Sequence, residues 1–266
     1  MIYDLQKASL WKRIAAFLLD AILIVIVATG VLALLSWALG YDGYLDTYTA
    51  RMQAIEAEYG LIDAGILGKD AYLTDLVGTQ AYQDLSQENK EIYDQAVKAF
   101  LADEEASAAY NMMTSLLMIF ITIPVLVGYL VVEFAVPLFL KNGQTLGKKV
   151  FGIALVRVDC VKVTPLQLFV RALLGKYTIE TMAVAFLIVL FLSGMTGWIG
   201  LAAILGVLVL EIVVICKTKN NSLIHDLLAG TVAVDLASQK IFESPEELLE
   251  YKKKLQAEAA AESKYF

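Results

Sequence analysis

Charge is scarce in this chain, and so are the residues of metal and redox chemistry. Of 266 residues 18% are charged, against about a quarter in a typical soluble domain. Apolar residues make up 59%, and mean hydropathy is +0.66. The apolar residues lie in long uninterrupted runs, which excludes disorder and a soluble enzyme domain. The two cysteines, Cys160 and Cys216, are too few for a disulfide framework. One histidine, His225, beside two unrelated cysteines makes no metal site. No cofactor is expected, no nucleophile–base pair suggests catalysis, and the chain is not expected to be an enzyme. The run Gly143-Gln144-Thr145-Leu146-Gly147-Lys148-Lys149 is not a phosphate loop: three residues separate its glycines, and Lys149 stands where Ser or Thr belongs. It reads as a turn with basic residues facing anionic lipid. Nucleic acid is not an expected partner; the lipid bilayer is.

The apolar excess resolves into four windows long enough to cross a bilayer, roughly 14–39, 112–140, 178–195 and 197–216. The first is about twice the length of a signal-peptide core and contains Asp20, so it is expected to be a retained span. Residues 166–177 read as an amphipathic helix lying in the interface ahead of the third span. The turn Ser193-Gly194-Met195-Thr196-Gly197 makes the last two spans a hairpin, and Pro124 and Pro137 are tolerable kinks in the second.

Basic residues set the expected orientation. Lys7, Lys12 and Arg13 precede the first span. Lys141, Lys148, Lys149, Arg157, Lys162, Arg171 and Lys176 follow the second, and Lys217 and Lys219 follow the fourth. By the positive-inside rule these segments and both termini face the cytoplasm. Residues 41–110 carry fourteen acids against four bases, a net of −10, while the rest of the chain sums to +3. That acidic stretch faces outward. It holds eight of the thirteen tyrosines, and 46–59 and 86–110 are helix-favouring. It reads either as a helical cap that gathers cations or binds a partner, or as a soluble hairpin continuing the first two spans.

On the inner side, Phe151–Val158 is rich in strand formers, with Cys160–Thr164 as a hairpin partner and Thr231–Asp235 as a third short strand. Ser244-Pro245-Glu246-Glu247 is a helix start, so a charged helix is expected to about Ala261. The expected architecture is an all-α polytopic membrane protein with four transmembrane helices. Residues 1–40 and 112–236 form the membrane domain, 41–111 a helical insertion, and 237–266 a cytoplasmic helix, with a small β-element inside.

Three pieces of this sequence belong together. They are Trp11-Lys12-Arg13-Ile14-Ala15-Ala16-Phe17-Leu18-Leu19-Asp20, then Asn142–Gly152, then Leu223-Ile224-His225-Asp226-Leu227-Leu228-Ala229-Gly230-Thr231. In combination they resemble the RDD family of bacterial membrane proteins, named for one Arg and two Asp. By motif position these are Arg13, Asp20 and Asp226. Cys160 stands where a turn glycine is expected. The resemblance implies a protein of the bacterial cytoplasmic membrane; family members are regarded as transporters, and sodium/proton antiport has been attributed to some.

The residues themselves point to buried charge. Arg13 and Asp20 are seven apart, about 10 Å along a helix, too far for a tight pair. Glu133, Glu180 and Glu211 each lie four to eight residues from the inner end of a span. With Asp20, each span therefore carries one carboxylate about 6–12 Å from its cytoplasmic boundary. Each such acid costs about 2.5–3.5 kcal/mol to insert. As a transport site, the ring would let protons compete with Na⁺ or another monovalent cation. Asp20 and Glu133 would be its central pair, Glu180 and Glu211 would flank them, and Thr178, Thr181 and the kink at Pro137 would add oxygens. As a structural network, the acids would pair with Arg13, Arg171, Lys176 and Lys148, and Asp226 would cap a helix or pair with Arg13. A scaffold or accessory subunit would need no more than that network, and lipid handling is a third alternative. Four helices are few for an alternating-access path, so transport implies a homo-oligomer. His225 is either a packed helix-start residue or a pH sensor.

Overall fold

The computed structural model describes residues 5–140 and 142–262; Lys141, which the charge argument counts, lies outside them. In chain order the elements are α1 (Leu10–Leu39), α2 (Tyr41–Glu58), α3 (Gln87–Ala102), α4 (Glu104–Phe139), α5 (Leu146–Val150), β1 (Ile153–Arg157), α6 (Pro165–Leu192), α7 (Gly197–Lys217), α8 (Ile224–Ala229), β2 (Thr231–Asp235) and α9 (Pro245–Glu262). Helices α1, α4, α6 and α7 are long and apolar enough to cross a membrane. The chain divides into two units, Met1–Gly30 with Ile123–Phe266, and Val31–Thr122. Both boundaries fall inside spanning helices rather than at their ends.

The first of these units is apolar outside. Trp11, Phe139, Leu192 and Trp198 are among its most exposed side chains, with Trp198 84% accessible. Trp11 opens α1 and Trp198 opens α7, where the amphipathic indole suits the membrane–water boundary.

Two of its spans are not regular α-helix. Hydrogen bonding widens to the i→i+5 pattern over Leu130–Ala135 in α4 and over Val170–Ala183 in α6. The first widening has a local cause. Pro137 has no N–H to give and its ring crowds the carbonyl four residues back, that of Glu133. The second runs through 166–177, which is therefore not a separate interfacial helix. It continues into the third span as α6, and Arg171 and Lys176 point inward to buried partners rather than out to headgroups.

Strands β1 and β2 pair antiparallel, Ile153 opposite Asp235 and Arg157 opposite Thr231. The main partner of β1 is thus the distant 231–235 segment. The return at 160–164 contributes a single bridge, Val156 with Lys162, and its turn is closed by Cys160 N–H to Arg157 O at 3.0 Å and Arg157 N–H to Val161 O at 2.8 Å. Cys160 takes the left-handed φ of +66° there, the conformation that makes glycine the expected residue. Val156, Val232 and Val234 pack on one side of the ladder, and Leu155, Val163 and Leu168 on the other. The C-terminal helix forms as expected, with Ser244 accepting from Glu247 N–H at 3.3 Å.

The unit Val31–Thr122 includes α2 and α3 and builds its own apolar core from Met52, Ile55, Leu61, Leu73, Ala96 and Phe100. Four of the eight tyrosines, Tyr48, Tyr59, Tyr82 and Tyr93, pack against that core. The Tyr93 hydroxyl donates to Leu73 O at 2.5 Å. Arg51 forms an ion pair with Asp103 at the start of α4.

Candidate functional site

The inner half of the spanning unit holds a charged centre, assembled from the loop after α4 upward. Leu155 N–H donates to Asn142 O at 3.1 Å and the Gln144 amide to Ile153 O at 2.8 Å, so the 142–147 loop is pinned to β1. The pinned loop presents Thr145 and Gly147 to α1. Thr145 donates its hydroxyl to Asp20 at 2.5 Å and Gly147 its backbone N–H at 2.8 Å. Lys148 stands 3.8 Å from the same carboxylate. Gly147 is required by this approach: a Cβ there would lie 2.3 Å from the Ala16 carbonyl oxygen. Asp20 is 1% exposed, and its charge is answered by a lysine, a hydroxyl and a backbone donor, not by Arg13.

Glu133 is the most heavily countered group. Lys176 bonds one of its oxygens, and Lys148 and Arg171 each approach the other at 3.3 Å. Arg171 then reaches onward, giving Nε to Asp226 at 2.9 Å and Nη2 to His225 Nε2 at 2.9 Å. Arg13 closes on the other oxygen of Asp226 at 3.3 Å, and the Thr231 hydroxyl adds a bond at 3.1 Å. An arginine cannot accept, so His225 Nε2 is the acceptor and its ring proton sits on Nδ1, facing Glu180 at 2.7 Å. The backbone N–H of His225 also donates to Glu180, at 2.9 Å. This contact needs Gly175, where a Cβ would fall 2.4 Å from that of His225.

The wide turns explain how one helix supplies so much of this. Arg171 and Glu180 are nine residues apart, which at about 3.6 residues per turn is two and a half turns and opposite faces. With i→i+5 bonding each turn takes up more residues, and Arg171, Lys176 and Glu180 come round to one side. Glu133 sits in the other widened stretch.

Environment sets the charge states outside the spans. Burial lowers the Lys148 ammonium to about 8, opposed by Glu133 and reinforced by Lys176 and Arg171. Burial also lowers His225, against the pull of Asp226. Burial pushes the Asp226 carboxyl up, but Arg171 foremost, with Arg13, outweighs it and leaves it well below the usual carboxylate range.

The model of the RDD family matches residues 7–230. The chain belongs to that family. No curated protein and no solved structure matches it. Arg13 and Asp226 meet directly in this member, while Asp20 connects to Asp226 through Lys148, Glu133 and Arg171.

Of the sequence-derived candidates, Asp20, Glu133, Glu180, Arg171, Lys176, Lys148, Arg13 and Asp226 form one connected centre. The partners that sequence reading missed are Thr145 and Gly147 for Asp20. The pairing of His225 with Glu180 was missed as well. Thr178 donates to its own helix, to Leu173 O at 2.8 Å, and Thr181 bonds the Tyr129 hydroxyl at 2.8 Å. Neither is an idle oxygen, and the oxygens of Glu133 already face three cations.

Glu211 differs from all of these. Both its carboxylate oxygens are buried, and among the described residues neither meets a donor at full hydrogen-bond geometry. Glu180 and the Ile224 N–H lie beside it, and no basic group does. It lines a cavity of about 400 Å³ together with Asp20, Lys148, Arg171, Lys176, Glu180 and His225.

Proposed function

We propose that this RDD protein is a small transporter of the bacterial cytoplasmic membrane that exchanges protons for a monovalent cation at Glu211. The observation that carries the reading is a charge imbalance. Arg13, Lys148, Arg171 and Lys176 face Asp20, Glu133, Glu180 and Asp226, four cations against four acids, with His225 neutral. Glu211 is the fifth acid. A buried carboxylate beside another acid and with no basic partner is costly as a bare charge, so Glu211 holds either a proton or a cation. Alternation between the two at one carboxyl is the least equipment for exchange.

The distribution of basic residues supports an orientation with both termini in the cytoplasm. The small number of spans supports a homo-oligomer, since alternating access ordinarily works between two repeats or bundles. The paired acids and bases then serve as scaffold, and Glu211 is the exchanging group.

The test is proteoliposomes loaded with a pH dye, given a pH gradient and then alkali or organic ammonium cations outside. A cation-dependent pH change in wild type that is absent in folded Glu211→Gln supports exchange at this residue. The four-for-four balance favours a second reading, a membrane scaffold whose charges only lock the helices. Folded, reconstituted wild type that moves no protons for any cation selects that reading instead.

A further inference from the structure

The walls around Glu211 decide which kind of cation suits it. A hard ion such as Na⁺ needs several oxygen ligands at once. Among the oxygens on the cavity, those of Glu180 are held by His225, that of Thr181 by Tyr129, and those of Asp20 by Thr145 and Gly147. Phe17, Val184, Val207, Leu208 and Leu223 give the same cavity an apolar wall. A cavity of about 400 Å³ falls within the range of small-molecule sites, about 300–1,000 Å³, and far exceeds what one alkali ion fills.

We propose that the cavity binds an organic monocation with an apolar body, its ammonium group against Glu211 and its body on the Phe17–Val184–Val207 wall. The inference deepens the exchange reading and rests on it for the role of Glu211. An alkylated ammonium needs one countercharge and no cage of oxygens, and its hydrocarbon gains about 25 cal/mol for each Å² removed from water. An aromatic wall residue adds attraction for the cation. The charge sign follows from the surroundings. Every basic group on the cavity has an acid partner, so an added anion would find no uncommitted cation, whereas an added cation finds Glu211.

The experiment is calorimetric titration of the purified full chain in mild detergent with benzyltrimethylammonium, with Na⁺ and benzylsulfonate as competitors. Wild type is expected to bind, neither competitor is expected to displace the ligand, and Glu211→Gln is expected to weaken binding at least tenfold. Val207→Phe, which fills the wall and leaves every charge in place, is expected to weaken it by a similar factor. That variant decides the matter if Glu211→Gln does not fold. Equal affinity in wild type and both variants would mean partition into the micelle and would overturn the proposal. Displacement by Na⁺, or preferential binding of benzylsulfonate, would overturn it as well. Binding without any proton movement in proteoliposomes removes the exchange reading and leaves the site. Proton movement with Na⁺ and no ammonium binding does the reverse.

Discussion

The insertion and the spanning unit solve the same problem in opposite ways. In the insertion the charge lies outside, Glu56 excepted, and the centre is Leu61, Leu73, Ala96 and Tyr93, as in a water-soluble domain. In the spanning unit the outside is tryptophan, phenylalanine and leucine, and the centre is Glu133, Arg171, Asp226 and their partners. Hydrophobic burial drives the first. Lipid tails are as apolar as leucine, so the second has no such force between its helices and relies on polar contacts and close packing. Identical residue types therefore carry opposite weight in the two regions. An acid on α3 is a solubilising group, whereas an acid on α4 holds three helical segments together.

Removing one charge from the spanning unit should accordingly be the most damaging change. Glu133→Gln leaves Lys148, Lys176 and Arg171 facing a neutral group, and breaking a buried pair costs about 3–5 kcal/mol. The expected result is loss of monodisperse protein in mild detergent, read by size-exclusion chromatography. Normal elution and melting of this variant would mean that the ion pairs do not support the fold. The equivalent injury to the insertion is apolar. Leu73→Ala, at a fully buried site, should cost about 2–5 kcal/mol. Hydrogen exchange should then rise across 41–102 while the segments carrying the ion pairs keep their protection. Spread of that loss into 165–192 would contradict the division into two units.

Acidity separates the regions more gently, with opposite signs. Burial holds His225 below its ordinary 6.5, so the unfolded chain takes up the proton first. Its contribution to stability is full above about pH 6.5 and declines as pH falls toward the folded value. Melting of wild type in detergent is expected to drop between pH 7 and 5, and His225→Gln is expected to flatten that slope. In the insertion, burial raises Glu56 above 4.5 despite the Leu73 N–H it accepts. Its contribution is full at low pH and is lost as pH rises. Hydrogen exchange of 41–102 between pH 4 and 7 should show it.

Much of this was legible in residue order. Hydropathy located four spans because a bilayer fixes their minimum length, and the Ser244-Pro245 start located the last helix because capping is local. Burial of Asp20 and Glu133 followed from the cost of leaving them in lipid, and the pairing of Asp226 with Arg13 was one of two roles open to it. What residue order did not disclose depends on contacts made far along the chain. The 125-residue separation of Thr145 from Asp20 has no periodicity to betray it. The pairing of β1 with 231–235 rather than with its neighbour is of the same kind. The widened turns of α6 are a third case, because ideal helical spacing puts Arg171 and Glu180 on opposite faces. Pro137 was the one local signal for a wide turn, and it marks α4 only.

The most apolar 18-residue stretch of α6 has a mean hydropathy of 1.7, against 2.5 to 2.9 for those of the other three spans. Its inward charges are what lower it, and their partners are made at different times. When α6 leaves the ribosome, Glu133 and Lys148 already exist, but His225 and Asp226 have yet to be translated. Lys176 can be neutralised at once; Glu180 and much of Arg171 cannot. On insertion scales each uncompensated charge costs about 2.5–3.5 kcal/mol, so the third span is poorly suited to partition into lipid by itself. Stable settling of α6 in lipid is therefore expected to wait for the fourth span and for His225 and Asp226 just beyond it. During biogenesis the stretch from Gly197 to Asp235 would then complete the segment that precedes it.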